Sequence, residues 1–206
     1  MLTLWGRLSS INVVKVAWCI AEANIPHERI DAGLSFGHVR TPEYLAKNPN
    51  GLVPLIEDDG FVLWESNAIV RYLSEKYAAG LLWPTDRQVR ADADRWMDWQ
   101  QTTLIAALGP AFIHLYRLPA EKRDEAVIAA SLVKMTEVTA ILESWLETRA
   151  YVAGDQFSMG DIPIAATLHR WLNMAIRREE RPAITRYYKR IMSRPAAQAS
   201  LTLPVT

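Results

Sequence analysis

Asn50-Gly51-Leu52-Val53-Pro54-Leu55-Ile56-Glu57-Asp58-Asp59-Gly60-Phe61-Val62-Leu63-Trp64-Glu65-Ser66-Asn67 is the stretch on which the fold turns. Its first residues close a turn begun at Asn48-Pro49. Val53–Ile56 and Phe61–Leu63 read as two short strands, and Asp58-Asp59-Gly60 between them is a hairpin signal. Ser66 then opens a helix. Pro54 cannot donate to a strand ladder, so it belongs at an edge or in a special turn. If the Val53–Pro54 bond is cis, as in about 5% of X–Pro bonds, the Val53 backbone turns outward. It can then pair with an extended peptide by strand addition. The plain alternative is an ordinary proline at a strand edge.

Upstream, Leu2–Trp5 reads as a short apolar strand. Val13, Val16, Ala17 and Ile20 recur at helical spacing to about Asn24, with Asn12 as a candidate N-cap. His27–Ile30 is a second strand candidate, and Pro42–Lys47 gives one or two helical turns. Downstream, Ile69, Val70, Leu73 and Tyr77 mark one face of a closing helix. The order β-α-β-α-β-β-α describes an α/β unit. Past Leu81-Leu82-Trp83-Pro84 the strand signals vanish. Helical spacing carries Val89, Ala93, Trp96, Thr103 and Ala107, then Val127, Ala130, Val138, Ile141 and Trp145, with further helices near 159–176 and 182–193. The chain therefore divides near residue 80, into an α/β domain over 1–80 and an all-helical domain over 87–206.

The 206 residues carry 23 basic and 23 acidic side chains, and half are hydrophobic. This is globular composition with no electrostatic footprint for nucleic acid or anionic lipid. Arg177-Arg178 is answered at once by Glu179-Glu180. No apolar run approaches the roughly 20 residues of a membrane span. Met1–Trp5 runs directly into a strand without a cationic leader, and Cys19 is the single cysteine. These features predict a soluble cytoplasmic protein. The four histidines are scattered without metal-ligand spacing, so no metal is expected. Cys19, mid-helix among Val16, Ala17 and Ile20, reads as a small buried hydrophobe. Trp96 reads as core rather than pocket; Trp99 fits either.

Three elements carry chemistry. The loop Ser9-Ser10-Ile11-Asn12 joins a strand to a helix N-terminus and holds no thiol. A bound cysteinyl sulfur there meets hydroxyl donors and the positive end of a helix dipole, both of which favour thiolate. One or two charge-assisted hydrogen bonds, at about 1.5–3 kcal/mol each, can lower a thiol's pKa from about 8.5 toward neutrality. Val53-Pro54 is the second element. Glu65-Ser66 is the third: Ser66 at a helix start suits a carboxylate and Glu65 an ammonium, so together they grip an α-amino acid head group. The first and third also have a purely structural reading as helix caps.

In this order and spacing, the three elements resemble the glutathione transferase superfamily along nearly the whole chain. The resemblance implies a thioredoxin-like N-terminal domain that binds glutathione through Val53, Pro54, Glu65 and Ser66. It implies ionisation of the glutathione thiol by Ser9, as in delta-like members, or by Ser10 with Asn12, as in nu-like bacterial members. His38, Arg40 and Lys47 are candidates for the glycine carboxylate. Phe157-Ser158-Met159-Gly160-Asp161-Ile162 resembles the family's buried capping motif, with Ser158 as N-cap, Asp161 as the N3 acceptor and Phe157 and Ile162 as hydrophobic staple. Pro163 predicts a bend or loosened turn there. The expected activity is conjugation of glutathione, a consumed cosubstrate, to a small hydrophobic electrophile held by the helical domain of a homodimer, with no other cofactor. Glutathione-dependent disulfide or peroxide reduction, and a non-catalytic binding role, are the alternatives.

Overall fold

The computed structural model describes residues 1–205; Thr206, the end of the expected helical domain, lies outside them. Leu2 and Leu4 are buried while Thr3 and Trp5 are half-buried, the period-two pattern of a strand with one face on a core. That strand, β1 (Leu2–Trp5), pairs in parallel with β2 (His27–Ile30) and antiparallel with β3 (Leu55–Asp58), which pairs antiparallel with β4 (Phe61–Trp64). The sheet order is β2-β1-β3-β4. Helices α1 (Ile11–Glu22) and α3 (Ser66–Tyr77) pack side by side over the Leu2, Leu4 and Ile56 face. On the opposite face α2 (Pro42–Lys47) buries Tyr44 edge-on against Trp5, 6.1 Å between ring centroids.

The rest of the described chain is helical apart from short bridges: α4 (Arg87–Trp99), α5 (Ile105–Phe112), α6 (Glu125–Leu146), α7 (Asp161–Asn173), α8 (Pro182–Met192) and α9 (Pro195–Ser200). The two-part architecture expected from the sequence, thioredoxin-like then all-helical, is the one observed. The single helical segment predicted through Ala107 is α4 and α5 joined by a π-turn at Gln100–Leu104. A second π-turn, Ile113–Arg117, follows Pro110, whose missing N–H removes a rung of the regular ladder. α9 carried no clear periodic signal.

α7 is the keel. Every residue from Asp161 to His169 is buried, and the helix packs on α1, α4 and α8. Its N-terminus approaches α4 so closely that a Cβ on Gly160 would lie 2.9 Å from the Ala93 Cα. Across the two halves Trp18 meets Phe157 at 5.7 Å, and Arg194 grips Glu22 through two bonds of 2.8 and 2.6 Å.

Several boundaries differ from expectation. β3 begins at Leu55 instead of Val53, because Pro54 has no N–H to give the ladder. The N-cap of α1 is Ser10, without a side-chain capping bond, and Asn12 lies inside the first turn. α3 is preceded by Glu65, with Ser66 its first residue. α7 starts at Asp161 after Gly160, so Ser158 lies outside the helix. Ser158 Oγ accepts from the Gly160 N–H at 3.3 Å, while the Asp161 carboxylate accepts the Ser158 N–H at 2.9 Å. Asp161 also takes the Val152 N–H at 2.9 Å and the Tyr187 hydroxyl at 3.0 Å, so it ties three segments together. Burial still pushes its carboxyl up to about 6, against those hydrogen bonds. Pro163 causes no break: it is the third helical residue, where the N–H has no intrahelical partner anyway.

Candidate functional site

β3, the turn before it and the N-termini of α1 and α3 converge on one cleft. Its lining includes Asn12, Val53, Pro54, Glu65 and Ser66, with Asn48, Asn50, Leu52 and Trp64. The Ser66 hydroxyl, almost wholly buried, donates to Asn12 Oδ1 at 3.3 Å across 54 residues of sequence. The Val53–Pro54 peptide is cis. Among the described residues, neither the N–H nor the C=O of Val53 has a hydrogen-bond partner, as an edge ready for an added extended peptide requires. The approach to Val53 is held by its neighbour: the Leu52 carbonyl accepts from the Tyr44 hydroxyl at 2.7 Å and from Asn48 Nδ2 at 2.8 Å. Asn48 Oδ1 in turn takes the Asn50 N–H at 3.1 Å.

Glu65 sits at φ 72 and ψ 109, a conformation unusual for a residue with a side chain and worth about 1–3 kcal/mol of local strain. Its carbonyl accepts the Ile69 N–H at 2.9 Å and so begins the helical ladder.

The serine loop is divided. Ser9 lines a second cleft between the halves, with Leu8, Ile11 and Val14 on one side and Ala166, His169 and Arg170 on the other. Its carbonyl accepts from Arg117 Nη2 at 3.0 Å. Ser10 lines neither cleft, and its hydroxyl has no partner among the described residues. The three basic candidates also separate. Lys47 is paired with Glu57 at 2.7 Å, and His38 lies edge-on to Trp5 at 6.1 Å. Arg40 drapes over Gly51, its Nη1 2.7 Å from where a Cβ would project, beside the cleft wall.

Beneath the cleft lies a buried polar network with a single sign in the local sequence. Lys15 Nζ donates to Asn67 Oδ1 at 3.0 Å and to Gln100 Oε1 at 3.4 Å. Asn67 Nδ2 donates to the Met97 carbonyl at 2.8 Å, and Gln100 Nε2 to Thr167 Oγ1 at 3.0 Å. Side chains of α1, α3, α7 and the first π-turn, with the Met97 carbonyl of α4, therefore form one network around a fully buried lysine. Desolvation brings Lys15 down to about 7, opposed by the charge of Glu65. Only the placement of a lysine between the core residues Val13 and Val16 hinted at this.

Cys19 is buried, as expected, its thiol pushed up to about 12 by desolvation, which makes it a poor nucleophile. Trp96 is buried between Trp99 and Trp145, at 4.9 and 5.3 Å, so it is core. Among the described residues no group of three or more His, Cys, Asp or Glu could hold a metal ion. No helix among them is long and apolar enough to cross a membrane.

Comparisons with known proteins bear on the family of the chain. The glutathione S-transferase N-terminal domain model matches residues 1–75 and the C-terminal domain model residues 99–195. Glutathione S-transferase GstB of Escherichia coli is 41% identical, with 100% of each chain covered. A probable glutathione S-transferase GSTF2 of Oryza sativa is 30% identical over 98% of this chain and 97% of its own. The theta class glutathione S-transferase of Xanthomonas axonopodis pv. citri, solved with glutathione bound, superposes with a TM-score of 0.96. It is 42% identical over 100% of this chain and 99% of that one.

Proposed function

The chain belongs to the glutathione S-transferase family, and on that premise we propose that it conjugates the glutathione thiolate to a small electrophile. The observation that carries this reading is the single cleft in which Asn12, Val53, Pro54, Glu65 and Ser66 meet.

Glutathione lies extended along it. Glu65 takes the γ-glutamyl ammonium, while Ser66 and the first N–H groups of α3 take the carboxylate. The unused Val53 backbone pairs with the cysteinyl residue. Arg40, beside the cleft wall and without an ion pair among the described residues, takes the glycine carboxylate in preference to Lys47, which Glu57 already neutralises. Asn12 acts through Ser66, whose hydroxyl it orients. At the start of α1 the hydroxyl of Ser9 or Ser10, with the helix dipole, holds the sulfur as thiolate and its proton passes to solvent. The thiolate then attacks an electrophile bound in the cleft that Ser9 shares with α7. The enzyme's contribution is orientation and thiolate stabilisation, with no covalent enzyme intermediate.

Residues 1–80 are the glutathione-binding unit and 87–206 the electrophile-binding unit. We take the protein to be cytoplasmic, and a homodimer; exposed Leu52 and Phe61 on the N-terminal unit give a partner subunit apolar surface.

Calorimetry with glutathione on wild type and on Ser9→Ala, Ser10→Ala and Ser66→Ala, with thiolate absorbance on the same samples, tests this reading. Ser66→Ala is expected to weaken binding about tenfold, the loss of one charge-assisted hydrogen bond. One of the other two should bind but lose the thiolate band. Absence of binding by wild type at millimolar glutathione would reject the assignment.

A further inference from the structure

Three arginines from distant parts of the chain surround the mouth where Ser9 faces the helical half. Arg7 enters from the β1–α1 loop, and its Nη1 lies over Gly33, 2.8 Å from a Cβ built there. The Val53 side chain is in reach of the same point at 3.5 Å. Arg117, at the end of the π-turn after α5, donates to the Ser9 carbonyl at 3.0 Å. Arg170, on α7, lines the Ser9 cleft and lays its guanidinium 3.8 Å over the Phe112 ring, with Arg117 5.5 Å from the same ring. The three feel one another: the charge of Arg117 opposes that of Arg7, and both oppose that of Arg170.

This concentration stands in a chain whose 23 basic and 23 acidic residues balance overall. Among the described residues neither Arg7 nor Arg117 forms an ion pair. Arg7 Nε is buried without a hydrogen-bond acceptor. Like charges held near one another repel, an anion set between Arg7 and Arg117 relieves that repulsion, and a guanidinium cannot escape it by losing its proton. Arg170 lines the Ser9 cleft, and none of the three lines the cleft of Glu65 and Ser66.

We propose that the second substrate is an anionic electrophile, a carboxylate-bearing one, whose carboxylate is held by the Arg7 and Arg117 guanidiniums beside Ser9 within the field of Arg170. This rests on the transferase reading and deepens it. The planar fork of arginine matches a carboxylate in two parallel bonds. It also offsets the repulsion that an anionic substrate meets on approaching a thiolate. The reaction is ordinary substitution: the carbon–sulfur bond forms, the carbon–halogen bond breaks, halide leaves with the electron pair, and the thiol proton goes to solvent.

The test uses 4-chloro-3,5-dinitrobenzoate and its neutral carboxamide, each corrected for its uncatalysed rate, with wild type, Arg7→Gln and Arg117→Gln. Wild type is expected to favour the carboxylate in kcat/KM by at least about tenfold, and each variant to lower that ratio by about tenfold, one charge-assisted hydrogen bond each. Where a variant fails to fold, inhibition of wild type decides. 3,5-Dinitrobenzoate should compete with the electrophile about tenfold better than 3,5-dinitrobenzamide. A ratio near one in wild type, or equal inhibition by the two compounds, overturns the inference. So does a constant ratio with a raised KM for glutathione in the variants, which assigns the cluster to the glycine carboxylate. In both cases turnover of the amide leaves the transferase reading standing; absence of glutathione binding and of all turnover removes that reading, and this one with it.

Discussion

Lys15→Met removes the one ammonium in the buried network beneath the glutathione cleft, and its effect is legible in how stability changes with pH. In the unfolded chain this lysine titrates near 10.5, whereas burial brings it to about 7 in the fold. Between those values the unfolded state holds a proton that the folded state has released, so stability rises with pH. The slope approaches 1.4 kcal/mol per unit. From pH 10 down to pH 7 the wild type should therefore lose on the order of 4 kcal/mol through this group alone. Methionine fills a similar volume and has no such slope. It leaves Asn67 Oδ1 without the Lys15 donor, while Gln100 Oε1 keeps the Asn67 amide at 3.3 Å. That lost bond, about 1–3 kcal/mol, shifts the variant by an amount that does not vary with pH. Urea unfolding of both proteins at pH 7, 8, 9 and 10, at one fixed protein concentration, isolates the term, since all other titrations cancel in the difference. Wild-type stability relative to Lys15→Met should climb steadily with pH. A flat difference across that range would refute the reasoning and mean that Lys15 stays protonated between its two amide partners, Asn67 and Gln100.

Asp161→Ala leaves the Val152 and Ser158 N–H groups and the Tyr187 hydroxyl unpaired in the core. A loss on the order of 4 kcal/mol is expected in urea melts, with activity falling only as the folded fraction falls. For Asp58, burial works against the charge, but hydrogen bonds from Lys76, Tyr77 and Tyr72 outweigh it and hold the carboxyl below its usual value. Its stabilisation is present above the unfolded value near 4 and lost as pH falls through the lower folded value. The stability gap between wild type and Asp58→Asn should therefore close on acidification below about pH 4. Gly160→Ala drives a methyl to within 2.9 Å of the α4 backbone at Ala93. It should lower stability by about 1–3 kcal/mol in thermal melts, whereas Gly109→Ala, at an ordinary helical position of α5, meets no such neighbour.

Local patterns in the chain were enough for the element order. The alternation in Leu2–Trp5, the hairpin turn at Asp59-Gly60 and the helical spacing after residue 87 are interactions of near neighbours, and near neighbours are adjacent in sequence. The same holds for Pro42–Lys47, which the structure makes a helix with those limits, and for the membership of Val53, Pro54, Glu65 and Ser66 in one cleft. These four fall within fourteen residues of a hairpin whose register brings Leu55 opposite Trp64. Side-chain direction was not legible at that level. Asn12 and Ser66 both looked like helix caps, because a cap is the local use for such residues. Only the packing of α1 on α3 brings them face to face and turns the pair into a single hydrogen-bonded unit. Distance along the chain hid the rest. Lys15, Asn67, Gln100 and Thr167 share one buried network, and Arg7, Arg117 and Arg170 share one mouth, though each residue alone reads as an ordinary polar position. Buried charge is decided by what surrounds it on every side. That is a property of the closed core, where α7 of the helical half packs on α1.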